Sequence, residues 1–239
     1  MPHEEIAALK PELVIASGDL THRGRADQHD EALAALRDLG IPVLAVPGNH
    51  DIPYSLPARF TTPWRQFERC WETTEPVYST PALHVVGLNS VRPWRHQSGG
   101  LSEAAVGKAG ARLQEAEPGA FRMAVLHHQL AGPPWRTRKR PLARRGAVLD
   151  ALAGAGAELV VSGHVHQATV SVRAEFEAEV ESRGPVLVNA PGVGRPRPHR
   201  RGEARGFMVY EVDDSAIRVQ THVHGESGWT LAAERLFPR

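Results

Sequence analysis

Four short apolar runs, each stopped by a polar cluster, constrain this chain more than any other feature of its 239 residues. Leu13-Val14-Ile15-Ala16 ends in Ser17-Gly18-Asp19. Val43-Leu44-Ala45-Val46 ends in Pro47-Gly48-Asn49-His50-Asp51. Met123-Ala124-Val125-Leu126 runs into His127-His128, and Leu159-Val160-Val161 into Gly163-His164-Val165-His166. Unbroken apolar runs of this length suit parallel strands buried on both faces. Between the first two, residues 26–39 read as a helix, with Leu33, Leu36 and Leu39 on one face and Gly40 as its stop. A strand, a helix and a strand at that spacing predict a right-handed crossover into a parallel sheet. Sites in such sheets form beyond the carboxyl ends of the strands, so the Asp, Asn and His side chains are expected in one place.

The remaining pattern fills in around these strands. A short helix over Ile6 to Lys10 is stopped by Pro11. Phe60, Trp64, Phe67 and Trp71, at three- and four-residue intervals, predict a helix packing an aromatic face into the core. Residues 77–80 and 83–88 read as paired strands turning at Pro81. Ser102 is placed to cap a helix over 102–115, and 146–153 reads as another. Short strands follow over 168–173, 186–189, 207–212 and 217–222. No linker or internal repeat divides the chain, so a single domain over 1–239 is expected.

Composition narrows the function classes. A hydrophobic share of 41% and a charged share of 23% suit a globular core. The net charge of +1 gives no electrostatic reason for a nucleic-acid or membrane partner. Cys70 is the one cysteine, which excludes an internal disulfide and a cysteine-rich zinc site. No run nears the ~20 apolar residues of a membrane span, and the N-terminus lacks the pattern of a signal peptide; a cytoplasmic location is the expectation.

Imidazole, carboxylate and amide donors together form a ligand set for divalent ions. In their order and spacing, Gly18-Asp19, Gly48-Asn49-His50-Asp51, His127-His128 and Gly163-His164-Val165-His166 resemble four of the five signature blocks of the calcineurin-like metallophosphoesterases. The bacterial cyclic-nucleotide phosphodiesterase branch is the most similar. The resemblance implies an α/β fold, a four-layer α/β/β/α sandwich of two mixed sheets. It implies that Asp19 bridges two metals, that Asn49, His127 and His164 complete the ligands of one, and that His166 serves the other. His50 matches the histidine that meets the phosphate and the leaving oxygen, and Asp51 the carboxylate that orients it. The implied cofactors are divalent Mn, Fe or Zn ions. The implied reaction is hydrolysis of a small phosphodiester or phosphomonoester by metal-activated hydroxide.

The family's first block, an Asp-x-His at the end of the first strand, has no counterpart before Asp19. One metal keeps Asp19, Asn49, His127 and His164; the other keeps Asp19 and His166. A firmly bound first metal and a weak or absent second are expected, in a fold missing its first strand. The expected origins are a start at an internal methionine of a longer protein, or a degenerate family member. Rival readings are a non-catalytic phosphate- or nucleotide-binding member, a nuclease, and a zinc-stabilised fold. His22, His222 and His224 read as solvated positions. The arginines from Arg195 to Arg201 read as a solvated loop, with phosphate clamping as the alternative.

Overall fold

The computed structural model describes residues 2–95, 97–132, 139–175, 184–194 and 203–239. Its helices are α1 (Pro2–Ala8), α2 (Ala26–Arg37), α3 (Ala58–Thr61), α4 (Arg65–Trp71), α5 (Glu103–Gln114) and α6 (Arg145–Gly154). Its strands are β1 (Val14–Ala16), β2 (Val43–Ala45), β3 (Val77–Ser79), β4 (Leu83–Leu88), β5 (Phe121–Leu126), β6 (Leu159–Ser162), β7 (Thr169–Val172), β8 (Val186–Asn189), β9 (Gly206–Val212), β10 (Ala216–Gly225) and β11 (Gly228–Pro238).

A six-stranded mixed sheet in the order β3-β4-β5-β6-β8-β7 forms the centre. Strands β4, β5, β6 and β8 run parallel, while β3 and β7 are antiparallel at its two edges. Side chains alternate across this sheet. Val86, Ala124, Leu126 and Val160 face a core shared with Leu113 of α5 and Leu152 of α6. Val85, Met123, Val125, Leu159 and Val161 face the opposite core. That second core also receives Leu44 and Val46 from the β2 segment, and Ile217, Val219 and Phe237 from β10 and β11. Burial on both faces is why these strands carry unbroken apolar runs.

The layer behind the central sheet is in two pieces, a parallel β1-β2 pair and an antiparallel β11-β10-β9 meander. The two pieces share no ladder among the described residues. Val14 pairs with Val43 and Ala16 with Ala45, so α2 makes the expected crossover, and it packs against α4. Strand β1 was expected to be fully buried, yet all three of its residues are half-buried. The physical reason is that β2 is its one ladder partner among the described residues.

Two further expectations need correction. The aromatic helix is broken: α3 ends before Thr62, whose φ of −142° is non-helical, and α4 starts at Arg65. Pro63 explains the break, since proline disfavours helical backbone in the residue before it. Phe67 is fully buried, but Phe60 is 56% exposed. Strand β11 escaped the sequence reading altogether. Helix α1 lies earlier than expected, over Pro2–Ala8 instead of Ile6 to Lys10, whereas α5 begins as expected, with Ser102 Oγ accepting from the Ala105 amide at 3.2 Å. No helix among the described residues is long and apolar enough to cross a membrane.

Candidate metal centre

Backbone hydrogen bonds bring the ends of β1, β2, β5 and β6 together. The Val46 amide donates to the Ala16 carbonyl, and the Gly163 amide to the His127 carbonyl. Close approach of these turns depends on missing side chains. A Cβ on Gly18, where φ is +90°, would lie 2.6 Å from the Gly48 nitrogen and 2.7 Å from His127 Nδ1. A Cβ on Gly48 would collide with the backbone nitrogen and Oδ1 of Asp19. Glycine is the residue that tolerates such positions.

Four of the five sequence-predicted metal ligands meet at His127 Nε2. It lies 3.2 Å from Asn49 Oδ1, 3.0 Å from His164 Nδ1 and 3.3 Å from Asp19 Oδ1. His127 Nδ1 donates to the Ser17 carbonyl at 2.8 Å, which leaves Nε2 of the neutral ring with a lone pair. His127, His164 and Asn49 are each no more than 2% exposed. Lone pairs from four buried atoms repel one another unless a proton or a cation lies among them. His164 Nε2 and Asn49 Nδ2 have no partner among the described residues. The donor set, two imidazoles with an amide and a carboxylate oxygen, fits a borderline divalent cation.

Electrostatics agree with that reading. Burial holds His164 far below the ordinary histidine range, and the nearby His127, His128 and Lys139 push it further, so its imidazole is neutral and able to ligate. Burial alone would depress His127 as well, but the adjacent Asp19 carboxylate outweighs it and raises the pKa. Asp19 is correspondingly lowered: burial opposes ionisation, and the charges of His127 and His50 override it. In the absence of a cation, therefore, one proton is shared where a metal would compete for the same lone pairs.

Three of the predicted ligand positions sit in left-handed backbone: Asp19 (φ 59°), His164 (φ 66°) and His166 (φ 57°). Non-glycine residues hold this conformation at a cost and concentrate at functional turns. His166, the fifth predicted ligand, is half-buried. Its ring lies beside Gly192, where an added Cβ would come within 3.3 Å of Nδ1.

His50 stands next to the centre, its amide donating to Asp19 Oδ1 at 2.9 Å. Asp51 was expected to orient the His50 ring, and the geometry differs. Asp51 is fully buried; its Oδ1 accepts from the Thr21 amide and its Oδ2 from the Gly48 amide, both at 2.8 Å. The ring is held instead by the His22 carbonyl, 2.9 Å from Nδ1, and by Tyr54 Oη, 3.0 Å from the same atom. Asp51 thus ties the β1 turn to the β2 turn. Burial and the charge of Asp19 raise its pKa, against the two amide donors.

Sequence reasoning missed Lys139 and Tyr54, and singled out His127 from the His127-His128 pair. His128 lies so close that its ring, with those of His127 and His164, offers ligand atoms within 4.8 Å of one another. The buried Lys139 donates to the His164 carbonyl. Tyr54 was passed over because a lone loop tyrosine carries no sequence signal, although it lies four residues after His50. Of the other histidines, the exposed His22 contributes its carbonyl and stacks on His50 with centroids 5.7 Å apart. His222 stacks on Phe207 at 5.0 Å, and His224 meets the edge of Trp229 at 5.1 Å. The Arg195 to Arg201 segment lies outside the described residues.

Comparison with known proteins gives one curated relative, several similar folds and one family model. A probable cyclic nucleotide phosphodiesterase from Synechococcus is 32% identical over 88 residues, 36% of this chain and 31% of that protein. The match therefore spans about a third of that relative's length. A dimetal phosphatase from Danio rerio has a similar fold, with a TM-score of 0.66 at 17% identity over 99% of this chain and 86% of the other. GAP50, the anchor in the inner membrane complex of Plasmodium, gives 0.63 at 13% identity over 99% and 81%. At such identities the likeness is one of fold. The model of the calcineurin-like phosphoesterases matches residues 3–168, more than half of the chain and all four turns. The chain belongs to the calcineurin-like phosphoesterase family.

Proposed function

We propose that this protein hydrolyses a small phosphodiester or phosphomonoester, with a cyclic or small nucleotide as the leading substrate class. The observation that carries the reading is the convergence of Asp19, Asn49 and His164 on His127 Nε2 beside the separately held His50. The curated relative, itself a probable cyclic nucleotide phosphodiesterase, supports the substrate class.

Asp19, Asn49, His127 and His164 would hold a first divalent cation, Mn, Fe or Zn, and His166 with Asp19 would offer a weaker second position. Such a cation supplies Lewis-acid chemistry, drawing electrons from a phosphoryl oxygen and making water acidic near neutral pH. The Ser17 carbonyl fixes the His127 tautomer so that Nε2 points inward, as outer-shell partners of ligating histidines do. His50 handles the proton. With Nδ1 engaged by the His22 carbonyl and Tyr54, Nε2 is the nitrogen left to face the substrate. A protonated His50 gives its Nε2 hydrogen to the leaving oxygen as the bond to phosphorus breaks, a step worth roughly 10²–10⁴ in rate. Asp51 holds the turns that carry Asp19 and His50 at their spacing.

Turnover of bis(p-nitrophenyl) phosphate with Mn²⁺ or Zn²⁺ tests the proposal. His50→Ala is expected to lower kcat by about 10²–10⁴ while metal content is retained. Tight nucleotide binding by the metal-loaded protein with no turnover of any phosphoester would favour the non-catalytic binding reading instead.

A further inference from the structure

Arg59, on the short helix α3, is a cation with 7% of its surface exposed. Its hydrogen-bond partners among the described residues are neutral. Nε donates to the Pro93 carbonyl at 2.7 Å, and Nη1 donates to the Pro53 carbonyl at 3.2 Å. Nη2 has no partner among the described residues. Burying a charge without a counter-ion costs free energy, and a side chain that merely filled this space need not carry one. What the charge meets is Tyr54, whose ring centroid lies 5.8 Å from the guanidinium carbon, within the reach of a cation–π contact. The guanidinium therefore grips Tyr54 twice, at its ring and at the carbonyl of the residue before it.

Tyr54 in turn reaches His50. Its Oη lies 3.0 Å from His50 Nδ1, and the His22 carbonyl lies 2.9 Å from the same atom. A carbonyl only accepts, so Nδ1 carries a hydrogen that lies between two oxygens. The His22 ring stacks on that of His50 with centroids 5.7 Å apart, and Tyr54 flanks it at 5.8 Å and a 40° tilt. The His22 carbonyl fixes the tautomer, and the second contact, from a different segment, fixes how the ring is turned and so where Nε2 points. We propose that Arg59 is a positioning residue for the reaction: acting through Tyr54, it holds the His50 ring so that Nε2 keeps its aim at the leaving oxygen. This role rests on the phosphoesterase reading above. Tyr54 is 38% exposed and belongs to no helix or strand, so its own packing does not hold it in place. Arg59 does, anchored on Pro93, 34 residues away. Proton transfer depends on alignment, and a small misplacement that starts away from the chemistry lowers the rate.

Turnover of bis(p-nitrophenyl) phosphate by the Mn²⁺-loaded full chain tests this role with Tyr54→Phe, Arg59→Met and the two combined, compared at equal metal content. Each single variant is expected to lower kcat about tenfold or more, with KM within about twofold of wild type. The double variant is expected to be no slower than the slower single one, because both changes break the same connection to His50. An Arg59 that only supports the fold would lower the melting temperature of Arg59→Met and leave kcat at the wild-type level, which overturns the positioning role. Wild-type kcat in Tyr54→Phe, or single losses that multiply in the double variant, overturns it as well. If Arg59→Met does not fold, Arg59→Lys, which keeps the charge and loses the two-pronged grip on Pro53 and Pro93, takes its place in the cycle. Absence of any turnover by the metal-loaded wild type overturns the phosphoesterase reading itself.

Discussion

His127 Nδ1 lies 2.8 Å from the carbonyl oxygen of Ser17, a bond across 110 residues that decides which end of the imidazole faces Asp19, Asn49 and His164. The opposite nitrogen meets Asp19, so in the metal-free protein the two form a charged pair. His127 is raised above the ordinary 6.5, so its contribution to stability is complete below that value and is lost as pH rises through the folded pKa. Asp19 is lowered from 3.8, so its contribution is present above that value and is lost as pH falls through the folded pKa. The chelated protein is therefore expected to lose stability as pH rises above 6.5, relative to Asp19→Asn. The Mn²⁺-loaded protein should gain stability over the same range, because the cation no longer competes with a proton. Thermal melts with and without chelator measure both slopes; a chelated wild type that gains on Asp19→Asn as pH rises would sink the paired-charge account.

Gly48→Ala places a methyl group on the backbone and carboxylate of Asp19. Backbone cannot yield as a flexible side chain does, so a loss of roughly 2–4 kcal/mol is expected, together with loss of bound metal. Gly146, inside α6 with nothing near its Cβ position, is the control. Gly146→Ala should be neutral or stabilising by up to ~1 kcal/mol. Urea unfolding of both variants provides the comparison.

Asp51→Asn keeps one acceptor oxygen but turns an amide N–H towards one of the two backbone donors now facing carboxylate oxygens. A cost of roughly 1–3 kcal/mol is expected. Because the His50 ring is held by His22 and Tyr54, the shape of the kcat–pH profile should not change even where kcat falls. A shifted profile in this variant would return to Asp51 the orienting role that sequence resemblance assigned to it.

His127 and His128 should separate cleanly on substitution. Ser90 Oγ accepts from the His128 amide at 3.2 Å and lies 2.9 Å from His128 Nδ1, which ties the ring away from His127 Nε2. His128 Nε2 has no partner among the described residues. Metal analysis is expected to show His127→Ala losing the bound ion, about 10-fold or more in affinity. His128→Ala should keep it while losing roughly 2–4 kcal/mol through the cavity left at a fully buried site.

The reading from sequence went furthest where a residue's task is local. The turns after β1, β2, β5 and β6 were legible because apolar runs and the glycines and histidines that end them are adjacent in the chain. What depended on distant partners was not. Strand β11 contains Ala232-Ala233-Glu234-Arg235-Leu236, good helix formers that offer no strand signal. It is extended because β10 pairs with it from Ala216↔Pro238 onwards, with Arg218 bonded to Glu234 at 2.8 Å. The burial of β1 was overestimated because an apolar run does not reveal how many neighbours a strand will find. Assigning Asp51 to His50 followed the family resemblance, whereas its partners here, Thr21 and Gly48, are set by two turns meeting in space.

Left-handed backbone at Asp19, His164 and His166 has a bearing on how such a centre could be moved or copied. The donor atoms point where they do because the chain bends unfavourably beneath them, so the arrangement is owned by the turns and not by the side chains. Grafting the same residue types onto strand ends of ordinary conformation would reproduce the chemistry on paper and miss it in space. A successful transplant would have to carry whole turns, with Gly18 and Gly48 included, and a host rigid enough to keep them bent.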